Sequence, residues 1–406
     1  MNVRFVYGIR KLLVDLMLLV RILVRGIPRF GLLGFVREVR QYARDNRNVL
    51  AGSAQRYVQR GDEIYAASAM PPVSSQRFVD YMLDEISTFN RKQLAPTLFA
   101  LVSASSQCPY RCRYCYALDD LCDEELVPIE VLERTIRGLG ERGIKSIFLT
   151  GGEVMKRAEA LPGLMAASMD AVDAFWLVSS GWGMTRELIE PLLPLKLKGV
   201  VISLDSHRED HAVKSKGHRD AFKNAVNAIR LAGELGLVVS VDCMVDESFL
   251  DPAEFQAYCD FLRDLGVHFV NFFPTHRVGG AKKYQMSVLT TSQLNQLEAL
   301  MTGVNQGARH RHHPIAYSAV VWERRRGCSA GQQFVYVTPK GNINPCPFLA
   351  APAGNIMKTP VGQILDDLQR IGERGGCYHQ YEGLSVPTRT RLPVLQPGEA
   401  ESEAQH

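Results

Sequence analysis

The sequence has 406 residues, of which 46% are hydrophobic and 22% charged, so it can bury a sizeable core and is not disordered throughout. Its net charge of +4 is unevenly distributed, because residues 1–60 carry 12 Lys and Arg against 3 Asp and Glu. This balance of +9 leaves −5 for the rest of the chain. Nothing indicates base-stacking platforms or a nucleic-acid groove, so we expect no nucleic acid as a partner.

Nine cysteines could indicate disulfides, but three of them fall within eight residues and the chain shows no credible secretory signal. Metal-bound thiolates in a reducing compartment fit this pattern better than an oxidised scaffold. The Leu/Val-rich stretch at 12–24 is broken by Asp15 and Arg21 and falls short of the ~20 apolar residues that span a bilayer. We therefore expect a cytoplasmic protein.

Residues 1–60 are predicted to form a basic, amphipathic helical arm, which Pro28, Gly31 and Gly34 break into two segments. Large aliphatic side chains recur along one helix face. They are Ile9, Leu12, Leu13, Leu16, Leu19, Val20, Leu23 and Val24. Two interpretations remain open. The helix either packs on the body of the protein, or residues 1–40 lie in the plane of the membrane at its inner face, with arginines meeting anionic headgroups.

Residues 61–94 are predicted to be a connector with a short helix at 76–89, after which apolar strands alternate with helices. The predicted strands are 98–103, 146–150, 174–179, 199–204, 238–243 and 268–273. The predicted helices are 125–141, 160–170, 185–192, 219–236 and 252–265. Parallel strands require such crossovers, so the pattern favours an α/β fold with either a closed eight-unit barrel or a partial (β/α)6 barrel. We expect the partial barrel over residues 95–309.

The pattern changes near residue 310, where strands at 316–322 and 334–338 and turn residues at 339–341 predict a β-hairpin. We expect a small, separate module over 310–383. The stretch 384–406 is rich in Pro, Glu and Thr and is expected to be disordered.

Cys108, Cys112 and Cys115 lie in a short loop that follows the first predicted barrel strand. Three thiolates at this spacing can hold one iron–sulfur cluster and leave one iron open for another ligand. The loop also follows a strand end, where parallel α/β folds build their active sites. The alternatives are a zinc site, for which Cys122 is the local candidate for a fourth ligand, and three unrelated thiols.

Cys-x3-Cys-x2-Cys with an aromatic residue before the last cysteine, here Tyr114, resembles the signature of the radical SAM superfamily. The resemblance extends over roughly residues 95–350 and includes Gly151-Gly152-Glu153 after the second strand. It implies a [4Fe-4S] cluster on the three cysteines and S-adenosylmethionine as cofactor. It also implies that the Gly-Gly-Glu motif holds the methionine amino group, which suits close backbone approach and a carboxylate acceptor.

Two further segments resemble parts of the same family's cofactor site. Ser203 and Asp205 follow the fourth strand, in the segment that contacts the ribose and the methionine carboxylate in that family. Ser179 ends the third strand and could line the same cavity. For both segments an ordinary strand-end turn is the alternative, and no residue is assigned a catalytic role.

Cys328, Cys346 and Cys377 resemble the cysteines of the C-terminal twitch or SPASM-like modules of this superfamily, which carry an auxiliary iron–sulfur cluster. The alternative is a degenerate module that has lost its cluster, because the full pattern has several more cysteines. Cys243 lies in an apolar strand and Cys259 in a helix, so we expect both to be buried packing residues. Cys122 fits either role.

The resemblance implies an enzyme that cleaves S-adenosylmethionine reductively to a 5′-deoxyadenosyl radical, which then abstracts a hydrogen atom from its substrate. The substrate is a peptide side chain, a small metabolite or a lipid, and the electron donor is a protein such as flavodoxin or ferredoxin. The rival from another class is a non-catalytic iron–sulfur or zinc protein that transfers electrons or acts as a scaffold. Glu153 discriminates between them, since an electron carrier needs no acceptor for an ammonium group there.

Overall fold

The computed structural model describes residues 2–45, 54–90, 97–326 and 328–371. The strands among these residues are β1 (Val3–Tyr7), β2 (Arg56–Arg60), β3 (Glu63–Tyr65), β4 (Phe99–Ser105), β5 (Ser146–Gly151), β6 (Ala174–Ser179), β7 (Leu197–Ser203), β8 (Val238–Val245), β9 (Phe269–Pro274), β10 (Ile315–Tyr317), β11 (Phe334–Val337), β12 (Asn342–Asn344) and β13 (Gly354–Asn355). The α-helices are α1 (Ile9–Phe30), α2 (Leu32–Asp45), α3 (Gln76–Asn90), α4 (Ile129–Glu141), α5 (Leu161–Ser168), α6 (Arg186–Ile189), α7 (Glu209–Lys216), α8 (Ala221–Glu234), α9 (Pro252–Asp264), α10 (Gly279–Lys283), α11 (Thr291–Gln306), α12 (Ala319–Arg326) and α13 (Val361–Ile371).

The large sheet follows the order β10-β9-β8-β7-β6-β5-β4-β11-β12-β13 among the described residues. Strands β4 to β10 are all parallel, and each pairs with its neighbour in sequence. All six predicted barrel strands are present, and helices cross between them. The expected partial (β/α)6 barrel is therefore confirmed, with β10 as a short additional parallel strand at one edge.

Alternation along the strands separates the helix-facing core from the barrel interior. In β8, Val239, Val241 and Cys243 belong to the main hydrophobic core, which is shared with the helices. Ser240 and Asp242 occupy the alternate positions and face the interior. The interior is therefore apolar near the start of the strands and polar near their ends, where parallel α/β folds place their sites.

A small antiparallel sheet of β1, β2 and β3 closes the amino-terminal end of the barrel. Val58 and Tyr65 pack in one cluster with Trp176 and Phe269, which lie near the beginnings of their strands. Describing residues 1–60 as a purely helical arm is therefore wrong at both ends, at Val3–Tyr7 and Arg56–Arg60. These short strands are held by packing with residues that are distant in sequence, which local periodicity does not reveal.

Helices α1 and α2 form the predicted two-segment arm, and they pack on α3 through a cluster that includes Phe35, Val79 and Leu83. Gly26 allows this packing, because a Cβ atom there would lie 2.2 Å from the Phe35 ring. Most of the predicted aliphatic run on α1 points away from the body, but Leu23 packs into this cluster. The described helices include none that is long and apolar enough to cross a membrane.

The carboxyl-terminal hairpin is not a separate module in the residues that the structure describes. Strand β11 pairs in parallel with β4, and Val335 and Val337 join the main core. The pairing covers a β4 edge whose backbone groups would otherwise lack partners. The predicted strand at 316–322 is also wrong beyond Tyr317, because Ala319–Arg326 forms helix α12 with Val320 and Val321 buried in the core. Burial overrides the strand preference of these β-branched residues. Residues 384–406 lie outside the described residues.

Candidate active site

The loop after β4 carries the three cysteines of the predicted cluster site. Cys108, Cys112 and Cys115 are free thiols, and each is partly buried. The amide of Cys115 donates to the Cys112 carbonyl at 3.2 Å, which forms a tight turn between the second and third cysteines. Burial raises the pKa of Cys108 and of Cys115 to about 12, so both thiols hold their protons until a metal displaces them.

Backbone hydrogen bonds from the segments that follow three barrel strands fix this loop. After β5, the Glu153 amide donates to the Gln107 carbonyl at 2.7 Å. Beyond β7, the Arg113 amide donates to the Ser215 carbonyl at 3.2 Å, and beyond β9 the Gly280 amide donates to the Cys115 carbonyl at 2.8 Å. The barrel therefore sets the position of the cysteine loop from several sides.

Two glycines make this close approach possible. A Cβ atom on Gly152 would lie 2.3 Å from the Gln107 carbonyl oxygen, and one on Gly280 would lie 2.5 Å from the Arg113 carbonyl oxygen. The sequence predicted close backbone approach at Gly151 and Gly152, but the role of Gly280 was missed. The pair Gly279-Gly280 shortly after β9 mirrors the pair after β5, and that similarity could have identified it.

Glu153 is buried and ties the end of β5 to the end of β6. Its Oε1 accepts from the Ser179 hydroxyl at 2.7 Å and the Met155 amide at 3.1 Å. Its Oε2 accepts from the hydroxyl of Ser180 at 2.6 Å and from the amide of the same residue at 2.9 Å. Burial raises the pKa of Glu153, although these donors oppose the shift. A ligand ammonium group can reach this carboxylate only if a serine hydroxyl rotates away.

Tyr114, Ser203 and Asp205 converge on one side chain that sequence reasoning missed, Lys216 at the end of α7. Its Nζ lies 3.3 Å from Asp205 Oδ2 and donates to the hydroxyls of Tyr114 and Ser203. The Tyr114 hydroxyl and the Ser215 hydroxyl each donate to Asp205 Oδ2 at 2.6 Å. Lys216 is only 2% exposed. These three partners use all three N–H donors of the ammonium group, so a ligand carboxylate reaches this buried cation only by displacing one of them.

Asp242 is a second interior residue that the sequence analysis did not identify. In the sheet it pairs with Ser203 on one side and with Asn271 on the other. Burial raises the pKa of Asp242 to about 7, and Asn271 and Lys216 oppose the shift. The Oδ1 atom of Asn271 is buried and has no hydrogen-bond partner within the described residues. These neighbouring acceptor groups are suited to a ligand that offers hydroxyl or amine donors.

The second cysteine set is brought together in part. The Gly331 amide, three residues after Cys328, donates to the Pro345 carbonyl at 2.7 Å, which brings this segment beside Cys346. Cys346 is 5% exposed, and burial raises its pKa to about 12. Cys377, the third predicted ligand of an auxiliary cluster, lies outside the described residues.

The remaining thiols behave as structural residues. Cys243 and Cys259 are fully buried in the main core, as predicted. Cys122 is partly buried, and its thiol donates to the Glu124 carbonyl at 2.9 Å. Across residues 2–45, 54–90, 97–326 and 328–371, no three His, Cys, Asp or Glu side chains form a group that could hold a single metal ion.

A parallel β/α barrel with three cysteines in a loop at its carboxyl end is typical of proteins that bind a metal cofactor. Comparison with known proteins shows which family of such proteins the barrel resembles. Residues 102–270 match the family model of the radical SAM superfamily. The GTP 3′,8-cyclase of Helicobacter pylori strain J99 is 30% identical over 165 residues, which cover 38% of this chain and 50% of the cyclase. The antilisterial bacteriocin subtilosin biosynthesis protein AlbA of Bacillus subtilis strain 168 is 23% identical over 269 residues, 64% of this chain and 57% of AlbA. The chain thus spans about half the length of these relatives.

Solved structures show the same fold. The structure of Streptococcus suis SuiB bound to its precursor peptide SuiA gives a TM-score of 0.55 at 16% identity, covering 85% of this chain and 79% of SuiB. SuiB bound to S-adenosylmethionine gives a TM-score of 0.54 at 16% identity, covering 76% of this chain and 71% of SuiB.

Residues 102–270 thus carry a radical SAM domain, which the chain shares with the cyclase and with AlbA. This domain identifies the chain as an enzyme and implies an iron–sulfur cluster and S-adenosylmethionine as its cofactors.

Proposed function

We propose that this enzyme holds a [4Fe-4S] cluster on Cys108, Cys112 and Cys115. The observation that supports this most directly is the attachment of one three-cysteine loop to the segments that follow three separate barrel strands, two of them helices α7 and α10. Three soft thiolate donors suit such a cluster and leave one iron for the cofactor. Held by these three cysteines, the cluster would supply one-electron reductive cleavage of the C5′–S bond of S-adenosylmethionine, with methionine as the leaving group and a 5′-deoxyadenosyl radical for hydrogen abstraction from the substrate.

The residues around the loop fit the polar groups of S-adenosylmethionine. We assign the methionine amino group to the Gly151–Glu153 segment, where Ser179 and Ser180 release one acceptor of Glu153 as the ligand enters. We assign the methionine carboxylate to Lys216, where it would take the place of one of the three present partners of the ammonium group, Tyr114, Ser203 and Asp205. The Asp242 carboxylate, beside Ser203 in the sheet, suits the ribose hydroxyls.

For the substrate, we favour a peptide side chain over a small metabolite or a lipid. SuiB was solved with a precursor peptide, and AlbA takes part in bacteriocin biosynthesis, whereas the GTP 3′,8-cyclase supports the small-metabolite alternative. A peptide substrate should increase 5′-deoxyadenosine formation over the rate without substrate.

We also propose an auxiliary cluster on Cys328, Cys346 and Cys377. The approach of Gly331 to Pro345 supports it, because it places the first two cysteine segments side by side. In the Cys108→Ala, Cys112→Ala, Cys115→Ala variant, residual iron should remain on this second set. Absence of iron from that variant, with its fold intact, would indicate a degenerate module.

We place the enzyme in the cytoplasm, where flavodoxin or ferredoxin supplies the electron. The charge balance of residues 1–60 and the exposed apolar side chains of α1 favour a position at the inner face of the membrane.

The central test is anaerobic reconstitution with iron and sulfide, followed by assay for 5′-deoxyadenosine with dithionite and S-adenosylmethionine. The triple cysteine variant should lose about four irons, the content of one [4Fe-4S] cluster, and all 5′-deoxyadenosine formation. Cys122→Ala is the matched control and should retain both. Unchanged cofactor cleavage in the triple variant would refute the proposal.

The alternative is an iron–sulfur protein that only transfers electrons. The buried group around Lys216 argues against it, because an electron carrier needs no carboxylate-binding cation beside its cluster loop. Reconstituted protein that contains iron but does not bind S-adenosylmethionine in equilibrium dialysis would favour this alternative.

A further inference from the structure

Helix α1 presents its apolar face to solvent. Eight large side chains on this face are between 40% and 77% exposed: Ile9, Leu12, Leu13, Leu16, Met17, Leu19, Val20 and Val24. A surface helix of a globular protein normally turns such residues inward. The apolar surface continues around the turn into α2, where Leu32 is 60% and Leu33 85% exposed.

The charged residues of α1 that lie between Ile9 and Val24 mostly point toward the body. Lys11 pairs with Asp15 at 2.7 Å, and Asp15 accepts from the Tyr57 hydroxyl at 2.7 Å. Arg21 donates to the Ser74 carbonyl at 2.8 Å. Helix α1 therefore has two apolar faces. On the inner face Leu18, Ile22 and Leu23 pack with Val79 and Leu83 of α3, and hydrogen bonds at Asp15 and Arg21 also tie the helix to the protein. The aliphatic side chains of the outer face remain exposed.

The charge around this face indicates the chemistry of that partner. Residues 1–60 have 12 basic and 3 acidic residues, and Arg10, Arg37, Arg40 and Arg44 are exposed. A second copy of this chain would bring the same positive charge to the interface and would be repelled. An anionic lipid surface supplies both an apolar layer and negative headgroups.

We infer that the outward face of α1, together with the α1–α2 turn at Leu32 and Leu33, inserts into one leaflet of an anionic lipid bilayer with the helix in the membrane plane. This inference rests on the proposed membrane position and specifies the surface that produces it, and it does not depend on the proposed cluster chemistry. Binding combines burial of the aliphatic side chains with attraction between the exposed arginines and the headgroups.

The test is flotation of purified full-length protein with vesicles of phosphatidylcholine alone or of phosphatidylcholine with 30% phosphatidylglycerol. The protein should float with the anionic vesicles, and high salt should weaken binding because it screens the charges. The variant Leu12→Gln, Leu16→Gln, Val20→Gln should bind on the order of a hundredfold more weakly, because three aliphatic side chains no longer insert. Removal of Arg37, Arg40 and Arg44 by substitution with Gln should reduce binding about fivefold per residue.

The matched control is Tyr284→Gln, Met357→Gln, since both side chains are 46% exposed but lie outside the arm. This control should float like the original protein. Original protein that ignores both vesicle types overturns the inference. So does a dimer that the triple apolar variant abolishes, because a second copy would then cover the face. Formation of 5′-deoxyadenosine should be equal in the original protein and the triple apolar variant without vesicles, so failure of the lipid inference and failure of the proposed chemistry are distinguishable.

Discussion

At the scale of single residues, Lys216 contacts three side chains that the sequence analysis had assigned separately to the cofactor site. Tyr114, Ser203 and Asp205 were expected near the cofactor from the resemblance alone, and the structure collects them around this ammonium group. Lys216 itself could not be singled out, because it ends a charged helix whose neighbour Lys214 is exposed. Sequence reasoning readily finds motif residues, but it misses a buried partner that is defined only by the folded chain.

Replacement of Lys216 by Met should weaken binding of S-adenosylmethionine at least tenfold, because the cation for its carboxylate is lost. It should also destabilise the protein by about 3 kcal/mol, since Asp205 would remain buried without its partner. Isothermal titration and urea unfolding measure the two effects.

Lys214→Met is the control for Lys216→Met, because it removes the same charge from an exposed site on the same helix. Its stability should remain within about 0.5 kcal/mol of the original protein. Equal cofactor affinity in all three proteins would contradict the role given to Lys216.

At the scale of elements, the alternation of strands and helices could be predicted from local patterns, but several elements could not. The six barrel strands and the helices between them follow periodicity, and their bounds differ from the predictions by only a few residues, except at the start of α4. Helix α7 was missed because it is short, carries many charges and has little amphipathic pattern. Helix α12 was predicted as a strand, because its β-branched residues Val320 and Val321 favour strands. It forms a helix because tertiary burial of these two residues stabilises it.

The short helix α10 should matter for cluster loading because it begins against the cysteine loop. Gly280→Ala would place a methyl group 2.5 Å from the Arg113 carbonyl oxygen, so the loop or the helix must shift. We expect a destabilisation of about 1–3 kcal/mol and reduced iron uptake on reconstitution. Iron analysis and thermal unfolding measure these changes.

Gly303→Ala is the matched glycine control, because it lies inside α11 with no atom within 4 Å of the added methyl group. This variant should be more stable by about 0.5–1 kcal/mol. Full iron uptake by Gly280→Ala would show that α10 does not position the loop.

At the scale of the whole molecule, pairings between distant parts of the chain complete the barrel. Strand β11 pairs with β4, which lies more than 200 residues earlier in the chain. Strands β1 to β3, from the amino-terminal part of the chain, cover the end of the barrel where its strands begin. No local pattern specifies such contacts. The sequence therefore predicted the six barrel units, but it did not predict that β11 covers the β4 edge or that the small sheet covers the amino-terminal end of the barrel. The candidate cluster loop was predictable because its motif is contiguous.

Arg56 connects the amino-terminal sheet to the last part of the barrel. It is 2% exposed and donates to the carbonyls of Asn305 at 3.0 Å, His313 at 3.0 Å and Pro314 at 2.8 Å. Arg56→Ala should destabilise the protein by about 3–5 kcal/mol, because it leaves these buried acceptors unpaired. Urea unfolding measures the loss.

Arg56→Lys should recover only part of this stability, since an ammonium group cannot reproduce the planar fork of the guanidinium. Arg60→Ala serves as the control, because Arg60 is less buried and makes one such bond, to the Gly236 carbonyl at 2.8 Å. A loss no larger than that of the control would contradict the bridging role of Arg56.

The antiparallel pairing of β1 with β2 makes the helical arm an insertion within a hairpin. Tyr7 and Arg56 are direct partners across the two strands, and the chain between them leaves and re-enters the small sheet at the same end of this strand pair. A two-residue turn such as Asn-Gly would be long enough to join those two positions. The arm therefore enters and leaves the small sheet at one junction. A chain with Asn-Gly in its place would keep the register of β1 with β2, but it would expose the α3 side chains Val79 and Leu83 that the arm covers.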